Sequence, residues 1–186
     1  MAKVQYSDVR ESRLGRINDL GTTGKEVEEN FKKGCLKRAD RSIKRKKEKI
    51  MAGKDLQKVH QFLKDVGTYY LATEDGDTPR VRPFGTALLF EDKIYVLTAK
   101  AKNVSKQIEK NPKFELSAMD KDDRWIRVSG ELKEDNRIEV HHAILEEYPH
   151  LKNAYTAGDD NTHTLYFDID SAVIYSFTEE PQVLEV

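Results

Sequence analysis

Cysteine is almost absent. The 186 residues hold one, Cys35, so neither an internal disulfide framework nor a multi-cysteine zinc or iron–sulfur site can be built. Long apolar runs are also missing. None approaches the roughly 18–20 residues that cross a bilayer as a helix, and the opening MAKVQYSDVR has no signal-like apolar stretch. The expectation is a soluble, cytoplasmic protein without a membrane partner. There is no Gly-rich phosphate loop and no Gly-x-Ser-x-Gly elbow. The five histidines, His60, His141, His142, His150 and His163, show no metal-type spacing. His141 and His142 are adjacent and would diverge by about 100° on a helix. All five read as structural or surface groups, and no metal site is expected. The acids Asp75, Asp77, Asp122, Asp123, Asp159 and Asp160 gather where turns belong.

What is present divides in two. The chain carries 32 Lys and Arg against 33 Asp and Glu, but residues 1–50 hold 15 of the basic and 8 of the acidic residues. A basic first part is thus joined to an acidic second part, with the seam near Met51–Lys54. The expected organisation is an N-terminal arm with a helical extension over 1–52 and a folded domain over 53–186. Residues 1–24 read as an irregular arm and 25–52 as helical, with Val27, Phe31, Leu36, Ile43 and Ile50 as scattered apolar positions. The run KRADRSIKRKKEKI has the composition of a nucleic-acid or anionic-lipid binder. A solvated helix face is the favoured reading, because Phe31 is the only aromatic in the stretch and stacking platforms need several. Cys35 reads as inert.

From residue 53 the periodicity becomes regular. Apolar residues at 56, 59, 62, 63 and 66 predict a helix, with Asp55 as N-cap and Gly67 as its stop. Three strands are predicted in TYYLATEDGDTPRVRPFGTALLFEDKIYVLT, turning at Asp75-Gly76 and Glu91-Asp92. A short helix in AKNVSKQIEKN ends before Pro112. KFELSAM and RWIRVSGELKED are further strands, and alternation puts Trp125, Arg127 and Ser129 on one face of the second. NRIEVHHAILEEYP reads as a helix and HTLYFDIDSAVIYSF as a long last strand. Six strands joined largely by tight turns, with few helices, predict a mostly β, antiparallel, closed or partly closed barrel.

Two constellations carry chemistry. Pro79-Arg80-Val81-Arg82-Pro83-Phe84-Gly85 places two arginines on one strand face, and its prolines cannot donate to a ladder. A planar heterocycle with edge acceptors could lie there; a solvated edge strand is the alternative. Thr98-Ala99-Lys100-Ala101-Lys102-Asn103-Val104-Ser105-Lys106 falls where a strand ends and a helix begins. Helix N-termini bind phosphate through unpaired amides and the dipole, and Thr98, Lys102 and Asn103 would add a hydroxyl, a cation and an amide. Ordinary capping is the alternative. Trp125, the only tryptophan, shares its face with Arg127 and could wall such a site or serve as core.

These stretches, with YYLATEDGDTPRVRPFG, KIYVLTAKAKNVSKQIEKNP and RWIRVSGEL at their centre, resemble the FMN-binding split-barrel proteins related to pyridoxamine 5′-phosphate oxidase, over about Val59–Gln182. The resemblance implies a six-stranded split barrel and a homodimer binding FMN at the subunit interface. It implies flavin contacts from Arg82, Pro83, Phe84 and Gly85, from Leu97 and Thr98, and from Lys102 and Asn103 at the phosphate. Trp125 and Arg127 match the strand that the second subunit contributes. Ala87 stands where the vitamin B6 oxidases carry a substrate-phosphate lysine, and the ending PQVLEV lacks their Arg- and Trp-bearing segment. The pattern is closer to small flavoproteins of the nitroimidazole-reductase type. An FMN-dependent oxidoreductase, with NAD(P)H as a candidate electron donor, is the first expectation. A non-catalytic flavin or haem module, or a nucleic-acid-associated dimer using the basic arm, are the alternatives.

Overall fold

Alternating side-chain burial defines the strands. In β1 (Tyr69–Asp75) the side chains of Tyr69, Leu71 and Thr73 are buried while Tyr70 faces outward. β2 (Thr78–Phe84) returns after a turn at Gly76, whose φ of 72° suits glycine. β3 (Leu88–Phe90) and β4 (Lys93–Ala99) form a two-residue hairpin. Its turn residues, Glu91 and Asp92, both have positive φ, the geometry that matches strand twist. β5 (Lys113–Met119), β6 (Arg124–Glu134), β7 (Thr162–Ser176) and β8 (Gln182–Leu184) complete one sheet of eight strands. The computed structural model describes residues 53–186 together with Lys37, Arg41 and Ser42. Those three are helical and exposed. The expectations for the arm, the basic run as a whole and Cys35 lie outside the described residues.

The sheet is antiparallel in the order β2-β1-β5-β6-β7-β4-β3, with β8 on β7. This is the expected split barrel with flanking helices, but with eight strands instead of six. One extra strand arises because the predicted second strand breaks at Gly85. β2 lies on β1 at one end of the order, and β3 lies on β4 at the other. Residues 85–87 therefore carry the chain from one edge to the other. Side chains bond the backbone of Thr86 and Ala87 there, as buried polar groups require. Tyr69 Oη donates to Thr86 O at 2.7 Å, and His60 Nε2 and Tyr148 Oη both approach Ala87 O at 3.1 Å. The Ala87 amide donates back to Tyr148 Oη at 2.9 Å. β8 is the other addition, a three-residue strand too short to carry a period.

Helix α1, described over residues 53–66, lays Val59, Phe62 and Leu63 against the barrel core of Leu71, Val96, Leu116, Ile126 and Leu165. It is already helical at residue 53, so Asp55 is not its N-cap. Asp55 instead accepts the Glu185 amide at 2.9 Å, which pins the strand β8 end. Helix α2 (Asn103–Lys110) covers the barrel with Val104 and Ile108. Helix α3 (Ile138–Glu147) packs Val140, Ile144 and Leu145 on Leu88, Tyr95 and Leu97 in a second cluster. It is followed by a 3₁₀ segment, Pro149–Asn153. Each fully buried aliphatic or aromatic side chain contributes about 1.5–3 kcal/mol. Among the described residues no helix is long and apolar enough to cross a membrane.

Candidate functional site

The end of β2, the crossover, the end of β4 and the start of α2 converge on one cleft of about 290 Å³. Seven of the sequence-predicted residues line it: Arg82, Pro83, Phe84, Gly85, Leu97, Thr98 and Lys102. They come together because the crossover places the first constellation directly beside the second. Asn103 opens α2 next to Lys102 but does not line the cleft.

Arg82 does not point to solvent. It pairs with Leu71 across the ladder and shares that residue's inward face. Its guanidinium donates to Leu71 O at 3.2 Å, to Thr73 Oγ1 at 2.6 Å and to Gln107 Oε1 at 2.8 Å. Thr73 Oγ1 also donates to Gln107 Oε1 at 2.8 Å. Burial, and then the neighbouring Arg80, pull the Arg82 pKa below the usual guanidinium range. Arg80, two residues away, is exposed and faces Asp75 at 3.5 Å.

Lys102 holds the N-cap position of α2 in extended backbone, and no side chain caps the helix. The first turn therefore offers amides and a positive dipole end. Its shape is fixed from beneath. Ser105 Oγ donates to Ala99 O at 2.8 Å and lies 2.8 Å from His163 Nδ1. Because the Ser105 proton is spent on Ala99, His163 Nδ1 is the donor of that pair. His163 is buried, and desolvation lowers its pKa.

Part of the lining was not read from the sequence. His150, Leu151 and Tyr155, from the 3₁₀ segment and the turn after it, complete the lining. His150 is thus a cleft residue as well as a surface one. Lys102 Nζ donates to Tyr155 Oη at 3.0 Å. The available signal was the Pro149 stop followed by Leu151 and Tyr155, four residues apart. Linking it to Lys102 needs the tertiary fold.

Charge is the cleft's chemical signature. Among the described residues its lining includes Arg82 and Lys102 but no carboxylate. All side-chain partners of both cations there are neutral oxygens. Such a site favours an anion. A cation and a bare helix start lie at one end, with Pro83-Phe84-Gly85 along the side. No group of three or more His, Cys, Asp or Glu is arranged to hold a metal among the described residues.

Trp125 and Arg127 lie elsewhere. They share one face of β6, as the alternation predicted, and that face is the outward one. Trp125 stacks on Tyr175 with centroids 5.4 Å apart, and Arg127 Nε donates to Glu115 Oε1 at 2.6 Å. That face is continuous across β1, β2, β5, β6, β7 and β8. The register aligns Pro83, Tyr70, Ser117, Arg127, Val173 and Val183 in one row.

Residues 54–175 match the family model described as pyridoxamine 5′-phosphate oxidase like. Among solved structures, a NimC/NimA family protein from Clostridium acetobutylicum is 40% identical, with a TM-score of 0.70 over 72% of this chain and 94% of that one. General stress protein 26 from Bacillus anthracis gives 19% identity and a TM-score of 0.57, covering 71% and 98%. A heme binding protein from Mycobacterium smegmatis gives 9% identity and a TM-score of 0.56, covering 71% and 57%; these last two likenesses are of fold alone. No curated protein matches.

Proposed function

Because the chain belongs to the pyridoxamine 5′-phosphate oxidase like family, we propose that its cleft binds FMN and that the protein is an FMN-dependent oxidoreductase. The observation that carries this reading is a cleft with two cations, an uncapped helix start and no lining carboxylate among the described residues. Bound FMN would supply the electron transfer, and the protein would supply binding, orientation and electrostatics. In this reading Lys102, Thr98 and the α2 amides hold the phosphate. Pro83, Phe84 and Gly85 flank the ring, and the charge of Arg82 favours negative charge on it. Leu97 supplies an apolar floor.

The partner in this proposal is a second copy of the chain. The outward face exposes Tyr70, Val81, Met119 and Val183, by 53–71% of each residue's surface, beside Trp125 and the 74% exposed Phe177. Apolar exposure on this scale supports a second copy as the occupant of that face. The second copy would bring Trp125 and Arg127 toward the cleft. The substrate is a small molecule, with NAD(P)H as electron donor. Vitamin B6 oxidation is not proposed, since Ala87 is buried in the crossover and offers no cation.

The test is an absorbance spectrum of the purified protein, then mass spectrometry of the released ligand and an anaerobic NAD(P)H titration. A flavin spectrum bleached by the nicotinamide supports an oxidoreductase. Flavin colour without turnover leaves a binding module. A second reading, a haem module, rests on His150, an imidazole placed at the cleft beside cations suited to propionates. A Soret band lost in His150→Ala would favour it.

A further inference from the structure

Lys102 donates to Tyr155 Oη at 3.0 Å, so the phenol oxygen is the acceptor of that bond. A phenol has its own O–H as well. Among the described residues that proton has no acceptor, and Tyr155 lines the same cleft as Lys102. The phenol ring also stands 5.7 Å from the ammonium. The pair therefore offers a converging set of donors: the remaining ammonium protons and one hydroxyl proton polarised by an adjacent cation. The turn carrying Tyr155 is tied down at both ends. Tyr148, just before the 3₁₀ segment, is bonded to both backbone groups of Ala87. Just after Tyr155, Asp159 Oδ2 accepts the Thr156 amide at 3.3 Å and Thr162 Oγ1 donates to Thr156 O at 2.9 Å.

We propose that Tyr155 is an anion-contacting residue: it accepts a hydrogen bond from Lys102 and donates its own to the phosphate monoester of the cleft's ligand. This deepens the FMN reading and rests on it for the ligand's identity. The chemistry it requires is only a phosphate monoester. Tyr155 lies outside the residues that the family resemblance assigns to the flavin, and it joins the phosphate end of the cleft to the 3₁₀ wall.

Tyr155→Phe keeps the ring and removes only the hydroxyl. The experiment titrates wild type, Tyr155→Phe, Lys102→Ala and the double variant with FMN, with riboflavin and with inorganic phosphate, following flavin fluorescence and calorimetry. Hydrogen bonds to charged groups justify an expected loss of roughly ten-fold or more in FMN affinity for Tyr155→Phe. Riboflavin affinity should not change, and the double variant should lose less than the product of the two single losses. Equal weakening of FMN and riboflavin, or no change in either, overturns the proposal. If wild type binds neither flavin, the FMN reading fails by itself. Inorganic phosphate then decides, with weakening in Tyr155→Phe supporting the clamp and unchanged binding refuting it. A thermal melt of Tyr155→Phe within a few degrees of wild type shows that the comparison is made on folded protein.

Discussion

Arg82 and Gln107 are joined by a 2.8 Å hydrogen bond from Nη2 to Oε1, which ties the cleft strand to the helix whose start forms the other end of the cleft. The guanidinium meets only neutral partners: an amide oxygen, a hydroxyl and a carbonyl. Its charge is held in place without being cancelled. A carboxylate in Gln107's position would hold it equally well and neutralise it.

Gln107→Glu should therefore separate stability from binding. The charge-assisted bond should leave the melting temperature equal to or above wild type. Anionic-ligand affinity should fall several-fold as the field at the cleft weakens. Differential scanning fluorimetry and a flavin titration measure the two effects. An unchanged affinity would show that Arg82's charge does not reach the ligand.

Lys102→Ala should weaken FMN retention by roughly ten-fold through loss of a phosphate contact, with the fold intact because Lys102 is exposed. Desalting the variant and measuring the flavin-to-protein ratio tests this. Retention equal to wild type counts against the placement of the phosphate at this turn.

Gly130→Ala should destabilise the barrel by about 2 kcal/mol or more. Gly130 sits where the β6–β7 register shifts, and an added Cβ would lie 2.1 Å from the backbone oxygen of Asp168. Backbone on the two longest strands must move to admit it. A urea unfolding midpoint close to wild type would contradict this crowding.

Stability should fall as pH drops below about 6.5. His163 and His141 are buried, and desolvation lowers both pKa values from 6.5. A histidine depressed in the folded state favours folding above its unfolded pKa. That contribution is lost as pH falls toward the folded value, because only the unfolded chain gains the proton readily. His163→Gln should flatten the acid limb between pH 7.5 and 5.5, as followed by urea midpoints. A slope identical to wild type would show that His163 does not contribute.

If the proposed dimer forms through the outward face, Tyr70→Asp should abolish it without unfolding the protomer, since Tyr70 is 56% exposed there. Sedimentation velocity reads the assembly and circular dichroism the fold. A variant that still sediments as a dimer moves the interface elsewhere.

Much of this architecture was legible in the residues. Alternation in β6 put Trp125 and Arg127 on one face and Ile126 and Val128 on the other, and the structure shows that the first of these is the outward face. The contiguous Arg82-Pro83-Phe84-Gly85 stretch could be read as one wall because four neighbours in sequence are neighbours in space. The break at Gly85 could not be read, since Leu88, Leu89 and Phe90 continue a plausible strand. What ends it is the need for β3 to pair with β4. Tyr155 was invisible for a related reason: more than fifty residues separate it from Lys102, and only the packing of α3 and the 3₁₀ turn joins them. Gln107 carried no role of its own in the sequence, although it falls in the stretch that bears the family resemblance. Its burial against Thr73 depends on which face α2 presents.

The three residues that pass between the two sheet edges have a consequence for energetics. Thr86 lies within the seam between the two sheet edges and also borders the cleft. A guest seated there braces the seam, so occupancy and closure rise together. Ligand at a hundred times its Kd adds about 2.7 kcal/mol to such a fold. Amide exchange should slow at both ends of the sheet order at once, in β2 and in β3, though the two strands share no ladder.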